Sequence, residues 1–126
     1  MYQKTIIIGR LGAEPSMRYT PDGKPVCSFS VATGRNWTDA NGVKKEKTVW
    51  FRVSVWNKMG EACQTYLHKG SLCSVDGELS EPNVYQAKSG EWKSSLELTA
   101  RGVTFLGSKG ESVADETVEE IEETPF

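Results

Sequence analysis

The chain has 126 residues, a formal net charge of −2, 37% hydrophobic residues and three cysteines. This length predicts one domain, and the longest aliphatic run, Ile6 to Ile8, is far shorter than the roughly 20 apolar residues of a membrane helix. The first residues do not resemble a signal peptide, and three cysteines without a CxxC pair favour a reducing cytoplasm. The sequence therefore disfavours membrane proteins, secreted mini-proteins and multidomain enzymes.

The charge is unevenly divided along the chain. Residues 107–126 hold seven acids and one base, so the remaining 14 bases and 10 acids give residues 1–106 a charge of +4 against −6 in the tail. A basic body is typical of proteins that bind polyanions. We predict a folded domain over residues 1–106 and a disordered acidic tail over residues 107–126, which has too few apolar residues to fold alone. Solubility is the alternative role of such a tail.

Strand patterns dominate the first part of the chain. The Ile-rich segment Thr5 to Arg10 predicts a buried strand, and Gly12 to Pro25 predicts a loop with a turn. Val26 to Thr33 alternates as a strand does. The Asn41-Gly42 pair predicts the turn of a long, polar hairpin arm over residues 34–47.

The segment from Thr48 to Trp56 is the most informative strand, because side chains alternate between the two faces of a strand. One face carries apolar residues and predicts the core: Val49, Phe51, Val53 and Val55. The other face carries two indoles that flank a guanidinium: Trp50, Arg52, Ser54 and Trp56.

A helix and two further strands are predicted after this segment. Five residues form one helical stripe: Met59, Ala62, Cys63, Tyr66 and Leu67. Asn57 is the predicted N-cap, and Gly70 is the predicted left-handed residue at the C-terminal end. Residues 72–79 and 92–106 predict strands, separated by a turn-rich excursion over residues 82–90. This order predicts an all-β fold, a five-stranded OB-type Greek-key barrel with one α-helix between strands 3 and 4.

The sequence contains no catalytic pattern, so we expect no enzyme, no cofactor and no metal. The only histidine, His68, lies in no hydrolase motif, and its spacing from Cys63 and Cys73 matches no zinc site. We interpret the cysteines as small core residues. A nuclease would need clustered carboxylates, and the candidates lie in separate elements, at Asp22, Asp39 and Asp76.

The aromatic residues carry the functional prediction. Trp37 lies in a polar segment, Trp50 and Trp56 lie opposite the core face, and Tyr85 lies in the turn-rich excursion, whereas Trp92 can be either exposed or packed. Unpaired bases stack on exposed rings, and nearby cations neutralise phosphates. A single lysine is more often simply a solvated surface residue. The prediction of single-stranded nucleic-acid binding therefore rests on the aromatic and basic residues taken together and on none of them alone.

Five segments together are highly specific: Ile8-Gly9-Arg10-Leu11-Gly12, Met17-Arg18-Tyr19-Thr20-Pro21-Asp22-Gly23, Ser30-Val31-Ala32-Thr33, Trp50-Phe51-Arg52-Val53 and Tyr66-Leu67-His68-Lys69-Gly70-Ser71. Through them the sequence resembles the bacterial single-stranded DNA-binding proteins over residues 2 to about 106. The resemblance implies an OB barrel, a homotetramer, and a protein at the nucleoid in the cytoplasm that protects single-stranded DNA during replication, recombination and repair. It implies base stacking on Trp37, Trp50, Trp56 and Tyr85. The phosphate contacts that we expect are Lys4, Arg18, Arg35, Lys45, Arg52, Lys58 and Lys69.

The end of the chain resembles the same family, in which several acids precede a terminal Pro-Phe. The resemblance implies that this tip recruits DNA-maintenance enzymes: Glu119, Glu120, Ile121, Glu122, Glu123, Thr124, Pro125 and Phe126. Phe126 can fill an apolar pocket while its carboxylate and the acids meet a basic rim. We also expect the tail to compete weakly with DNA for the basic body. An OB-fold RNA-binding or translation module and a structural module with a solubility tail are the alternatives.

Overall fold

The computed structural model describes residues 1–107, which form seven strands and one helix. The elements are β1 (Thr5–Leu11), β2 (Ser16–Tyr19), β3 (Pro25–Thr38), β4 (Lys44–Trp56), α1 (Asn57–Tyr66), β5 (Leu72–Leu79), β6 (Asn83–Gln86) and β7 (Trp92–Gly107). Residues 108–126 lie outside the described part of the chain, and so do all the predicted tip residues. β7 ends at Gly107, one residue into the predicted tail.

Five strands close a barrel. Hydrogen-bonded neighbours follow the order β1-β5-β7-β4-β3, and β3 pairs back to β1 through Arg10–Ala32 and Leu11–Val31. The β4–β7 pair is parallel, and the other barrel pairs are antiparallel. Because α1 lies between β4 and β5, the third and fourth barrel strands, the predicted OB topology is confirmed.

The core fills the barrel as the alternation in β4 predicts. Val53 and Val55 are 0% and 1% exposed, and they pack with residues of the other barrel strands and of α1. The interpretation of the cysteines as core residues is confirmed, because Cys27, Cys63 and Cys73 are all fully buried. Burial raises the pKa of the Cys63 and Cys73 thiols to about 12.

The junction between β4 and α1 differs from the prediction. Asn57 is not the N-cap: Trp56 takes that position, without a side-chain capping bond in the described residues, and Asn57 has φ 62°. This left-handed residue turns the chain from strand to helix with no intervening loop. Gly60 then lies against the carbonyl of Val55, so closely that a Cβ atom would overlap the carbonyl oxygen.

The predicted helical stripe is only partly buried. Cys63 and Leu67 are buried, whereas Met59 and Tyr66 are exposed, because the ten-residue helix covers the barrel end along a narrow line that includes Gly60. The Tyr66 ring instead meets the Phe105 ring at the rim, with centroids 5.8 Å apart. Gly70 has the expected left-handed backbone (φ 88°), but it belongs to the turn before β5 and lies four residues beyond the end of α1.

Two short strands lie in segments that the sequence predicted as a loop and a turn-rich excursion. β2 pairs with β3, and β6 pairs with β7. The β2–β3, β3–β4 and β6–β7 hairpins have the same kind of turn. Backbone hydrogen bonds close these turns between Thr20 and Lys24, Asp39 and Val43, and Ala87 and Glu91, and a left-handed glycine precedes the last residue of each. The turn at Asn41-Gly42 was therefore predicted correctly. β2 and β6 escaped prediction because each has only four residues and is mostly exposed, so neither forms a long alternating run.

Within residues 1–107, no helix has the length and apolar character needed to cross a bilayer.

Candidate nucleic-acid interface

Aromatic and basic side chains of β4 project from the outer face, by which we mean the side of the β3–β4–β7 sheet away from the barrel interior. Trp50 and Trp56 are 52% and 41% exposed, and Arg52 between them is also exposed. The exposure predicted from alternation is therefore confirmed, although the role of these residues in binding stays a prediction.

Tyr85 lies on the same outer face, although β6 and β4 are not neighbours. The parallel register places Glu97 of β7 opposite Arg52. Lys93 precedes Glu97 by four residues, an even number, and therefore lies on the same face of β7. Tyr85 is the direct partner of Lys93 in the β6–β7 pair. The tertiary structure thus brings Trp50, Trp56 and Tyr85 to one face, with Arg52 and Lys93 beside them.

Trp37 lies on the opposite face of the hairpin arm. The β3–β4 register is continuous from Val26–Trp56 to Thr38–Lys44, so Trp37 has the same orientation as the core residue Val31, whereas Trp50 pairs with Ala32 on the outer face. We call the arm surface with Trp37 the inner face of the arm.

The inner face of the arm is basic. Lys45 pairs directly with Trp37, and Lys47 pairs with Arg35. The Arg35 guanidinium lies 5.6 Å from the centroid of the Trp37 ring, in a cation–π arrangement. A groove of about 490 Å³ lies near the turn of the arm. It is lined by Asn36, Trp37, Thr38, Lys44, Lys45 and Glu46.

Trp92 is an aromatic residue that the sequence left undecided. It is 68% exposed, so the packing alternative is wrong. It pairs with Gln86 and shares a face of the β6–β7 hairpin with exposed Val84, opposite the face of Tyr85. Only recognition of β6 as a strand could have placed Trp92 on an arm outside the barrel.

The other predicted phosphate contacts occupy different settings. Arg18 lies in register with Val26, which pairs with Trp56, so Arg18 is near the outer aromatic face. Lys58 lies in the first turn of α1, two residues after Trp56. Lys4 instead forms an ion pair with Asp76 of β5 (Nζ–Oδ2 3.9 Å).

Lys69 lies in a turn that is tied to the β1–β2 loop. Its backbone N–H donates a hydrogen bond to the carboxylate of Glu14, and His68 Nδ1 lies 3.0 Å from the other carboxylate oxygen. The Lys69 N–H and then the His68 ring hold the pKa of Glu14 below its ordinary value of 4.5. Among the described residues, no three His, Cys, Asp or Glu side chains cluster as a metal site would require.

The sequence model of the Single-strand binding protein family matches residues 2–106. The chain belongs to this family.

Relatives of the chain carry the family name. The chain is 38% identical over 117 residues to the single-stranded DNA-binding protein of Neisseria meningitidis, covering 93% of this chain and 67% of that protein. It is 33% identical over 106 residues to single-stranded DNA-binding protein 1 of Chlorobaculum tepidum, covering 84% and 65%. The chain therefore spans about two thirds of the length of these family members.

A solved structure has the same fold. The Plasmodium falciparum SSB in complex with ssDNA superposes with a TM-score of 0.69 and 29% identity, covering 84% of this chain and 96% of that one. In the Plasmodium protein, this fold is therefore seen in complex with single-stranded DNA.

Proposed function

We propose that this family member binds single-stranded DNA without sequence specificity, by stacking bases on exposed aromatic rings and neutralising phosphates with basic side chains. The observation that carries the proposal is the outer face, where Trp50, Trp56 and Tyr85 accompany Arg52 and Lys93. Every base presents a π-face, so stacking tolerates any sequence and contributes about 1–3 kcal/mol per base. Duplex DNA buries those π-faces in its own stack and should bind poorly.

Two further observations support this function. The body of residues 1–106 carries a net charge of +4, which attracts a polyanion. The relatives are named for binding single-stranded DNA, and the Plasmodium protein was solved with it. The stacking set is Trp37, Trp50, Trp56 and Tyr85, and the phosphate contacts are Lys4, Arg18, Arg35, Lys45, Arg52, Lys58 and Lys69.

The test is a titration of the full chain with dT oligomers, followed by intrinsic tryptophan fluorescence at several salt concentrations. We expect strong quenching. The slope of log K against log salt should be about −0.7 for each phosphate contacted. A matched duplex should quench weakly. Tighter binding to an rU oligomer of the same length would support the RNA-binding alternative, and no quenching by any oligomer would support the structural module.

The acidic tip, residues 119–126, is proposed to recruit DNA-maintenance enzymes. The support is its chemistry: a terminal apolar ring next to a run of carboxylates fits an apolar pocket with a basic rim. Deleting residues 119–126 should abolish capture of replication and repair proteins and leave or raise ssDNA affinity at low salt. A Phe126→Ala chain, which keeps all the acids, separates ring recognition from charge, and unchanged capture by the deletion variant would contradict recruitment.

Self-assembly as a homotetramer is proposed because the family resemblance implies it, and the exposed side of β1 offers a surface for a subunit contact. Ile6 is 61% exposed and Ile8 is also exposed, and alternation places both on one outward face. Adjacent exposed aliphatic side chains on a strand are typical of a surface covered by another subunit. Light scattering should give about four times the 13.9 kDa chain mass, and an Ile6→Glu, Ile8→Glu chain should dissociate. A wild-type monomer would contradict the tetramer.

The protective role and its location follow from the proposed ligand. Coating single-stranded DNA during replication, recombination and repair requires binding without catalysis, in the cytoplasm at the nucleoid. Labelled DNA incubated with the protein and Mg²⁺ should stay intact, whereas cleavage would indicate a nuclease.

A further inference from the structure

The indole of Trp50 lies against the backbone of Gly12. A Cβ atom at residue 12 would lie 2.5 Å from Cζ3 and 2.7 Å from Cη2 of the Trp50 ring. Those atoms form the far edge of the indole, so the benzo ring occupies the volume that any side chain at residue 12 would need. No other atom is as close to that position within the described residues.

The register explains how the two residues meet across three strands. Trp50 of β4 pairs with Ala32 of β3, which in turn pairs with Arg10 of β1. Gly12 follows the end of β1, and its N–H donates to the carbonyl of Ser30 (3.1 Å). The small side chain of Ala32, directly opposite Trp50, leaves room for the indole to reach over β3 toward Gly12.

The backbone around Gly12 is held in place from the far side. Leu11 donates to the Ser71 carbonyl (3.0 Å) and accepts from the Gly70 N–H (2.9 Å). The carboxylate of Glu14 accepts from the Lys69 N–H. Because these bonds tie the β1–β2 loop to the turn before β5, the indole is the part that would move if the two residues competed for space.

We propose that Gly12 is a positioning residue for base stacking: by lacking a side chain, it lets the Trp50 indole settle against the β1–β2 loop in the orientation that a base stacks on. This inference rests on the proposed function. Gly12 does not have a left-handed backbone, so an alanine fits its φ without strain. A methyl group there should therefore displace the ring and leave the barrel folded.

The test is a double-mutant cycle on the full chain with Gly12→Ala, Trp50→Ala and the double variant, titrated with a dT oligomer. We expect Gly12→Ala to weaken binding about tenfold. Loss of a stacking aromatic side chain lowers affinity by about 5- to 150-fold, so this value lies toward the lower end of that range. In the Trp50→Ala background the same change should have no effect. Gly34→Ala is the matched control, because a Cβ atom there has no neighbour within 4 Å in the described residues and the backbone is again not left-handed.

A second measurement does not depend on DNA. In a chain that keeps Trp50 as its only tryptophan, with phenylalanine at the other three positions, Gly12→Ala should shift the emission maximum and Gly34→Ala should not. Unaltered dT affinity in Gly12→Ala, or an equal loss with and without Trp50, would overturn the proposal. A wild-type chain that fails to bind dT would overturn the proposed function instead, and the emission shift would still decide whether Gly12 positions the ring.

Discussion

Trp37 and Trp50 belong to the same β-hairpin but face opposite ways. Trp50 pairs with Ala32 on the outer face, whereas Trp37 pairs with Lys45 on the inner face of the arm. A nucleic-acid strand that stacks on both must therefore pass around an edge of the arm. This separation makes the two rings distinguishable by oligomer length.

Short oligomers should report the two faces separately. We expect a dT oligomer of about four nucleotides, the lower end of OB-fold site sizes, to reach only one face at a time. In a chain that keeps only Trp37 and Trp50, full quenching should then need two such oligomers per chain, whereas one long oligomer should quench both rings. Fluorescence titration to saturation measures this stoichiometry. One short oligomer that quenches both rings would contradict the two-faced arrangement.

Asn57 should tolerate glycine but not a β-branched residue. Its φ of 62° lies in the left-handed region, which asparagine and glycine enter more readily than valine does. We expect Asn57→Val to lower the free energy of unfolding by about 1–3 kcal/mol and Asn57→Gly to change it little. Urea denaturation measures both values. Because Asn57 joins Trp56 to Lys58, the valine variant should also bind dT more weakly. Equal stabilities of the valine and glycine variants would refute the strain argument.

Glu14 should make stability depend on acid pH. Its folded pKa is below 4.5 because of the Lys69 N–H and the His68 ring. A carboxyl group with a depressed folded pKa stabilises the fold above its unfolded pKa, and the effect is lost as pH falls through the folded value. Wild type should therefore be more stable than Glu14→Gln at neutral pH and lose that advantage below about pH 4.5.

Urea denaturation of both chains between pH 3 and pH 7 checks this prediction for Glu14, with buffers matched in ionic strength. His68→Ala is the companion variant, because it removes one partner and keeps the Lys69 N–H. It should lose only part of the pH-dependent difference. A constant difference across the range would show that the pKa of Glu14 is the same in the folded and unfolded chain, which contradicts the prediction.

The three cysteines should be unreactive until the barrel opens. Cys27, Cys63 and Cys73 are fully buried, and burial raises the pKa of the Cys63 and Cys73 thiols to about 12. Reaction with a disulfide reagent requires an exposed thiolate. At pH 8 we expect no labelling of the native chain and three labels per chain in urea. Rapid labelling of the native chain would mean that the barrel opens locally.

The sequence by itself determined the features that local periodicity encodes. In β4 the two-residue period separates Val53 and Val55 from Trp50 and Trp56, because neighbouring side chains of a strand face opposite ways wherever the strand lies. The Asn41-Gly42 turn is equally local, since only a few residues set its backbone. The order of strands and helix, together with the segments that resemble one family, then predicted the barrel.

Only the tertiary structure decided which of these elements meet. The face of Trp37, the pairing of Tyr85 with Lys93, the ion pair of Lys4 with Asp76 and the contact of Gly12 with Trp50 all depend on register between strands distant in sequence. Alternation within one strand cannot encode that register, because it is fixed by backbone hydrogen bonds and packing across the sheet. The sequence therefore supplied the aromatic and basic residues, and the closure of the barrel determined which of them share a face.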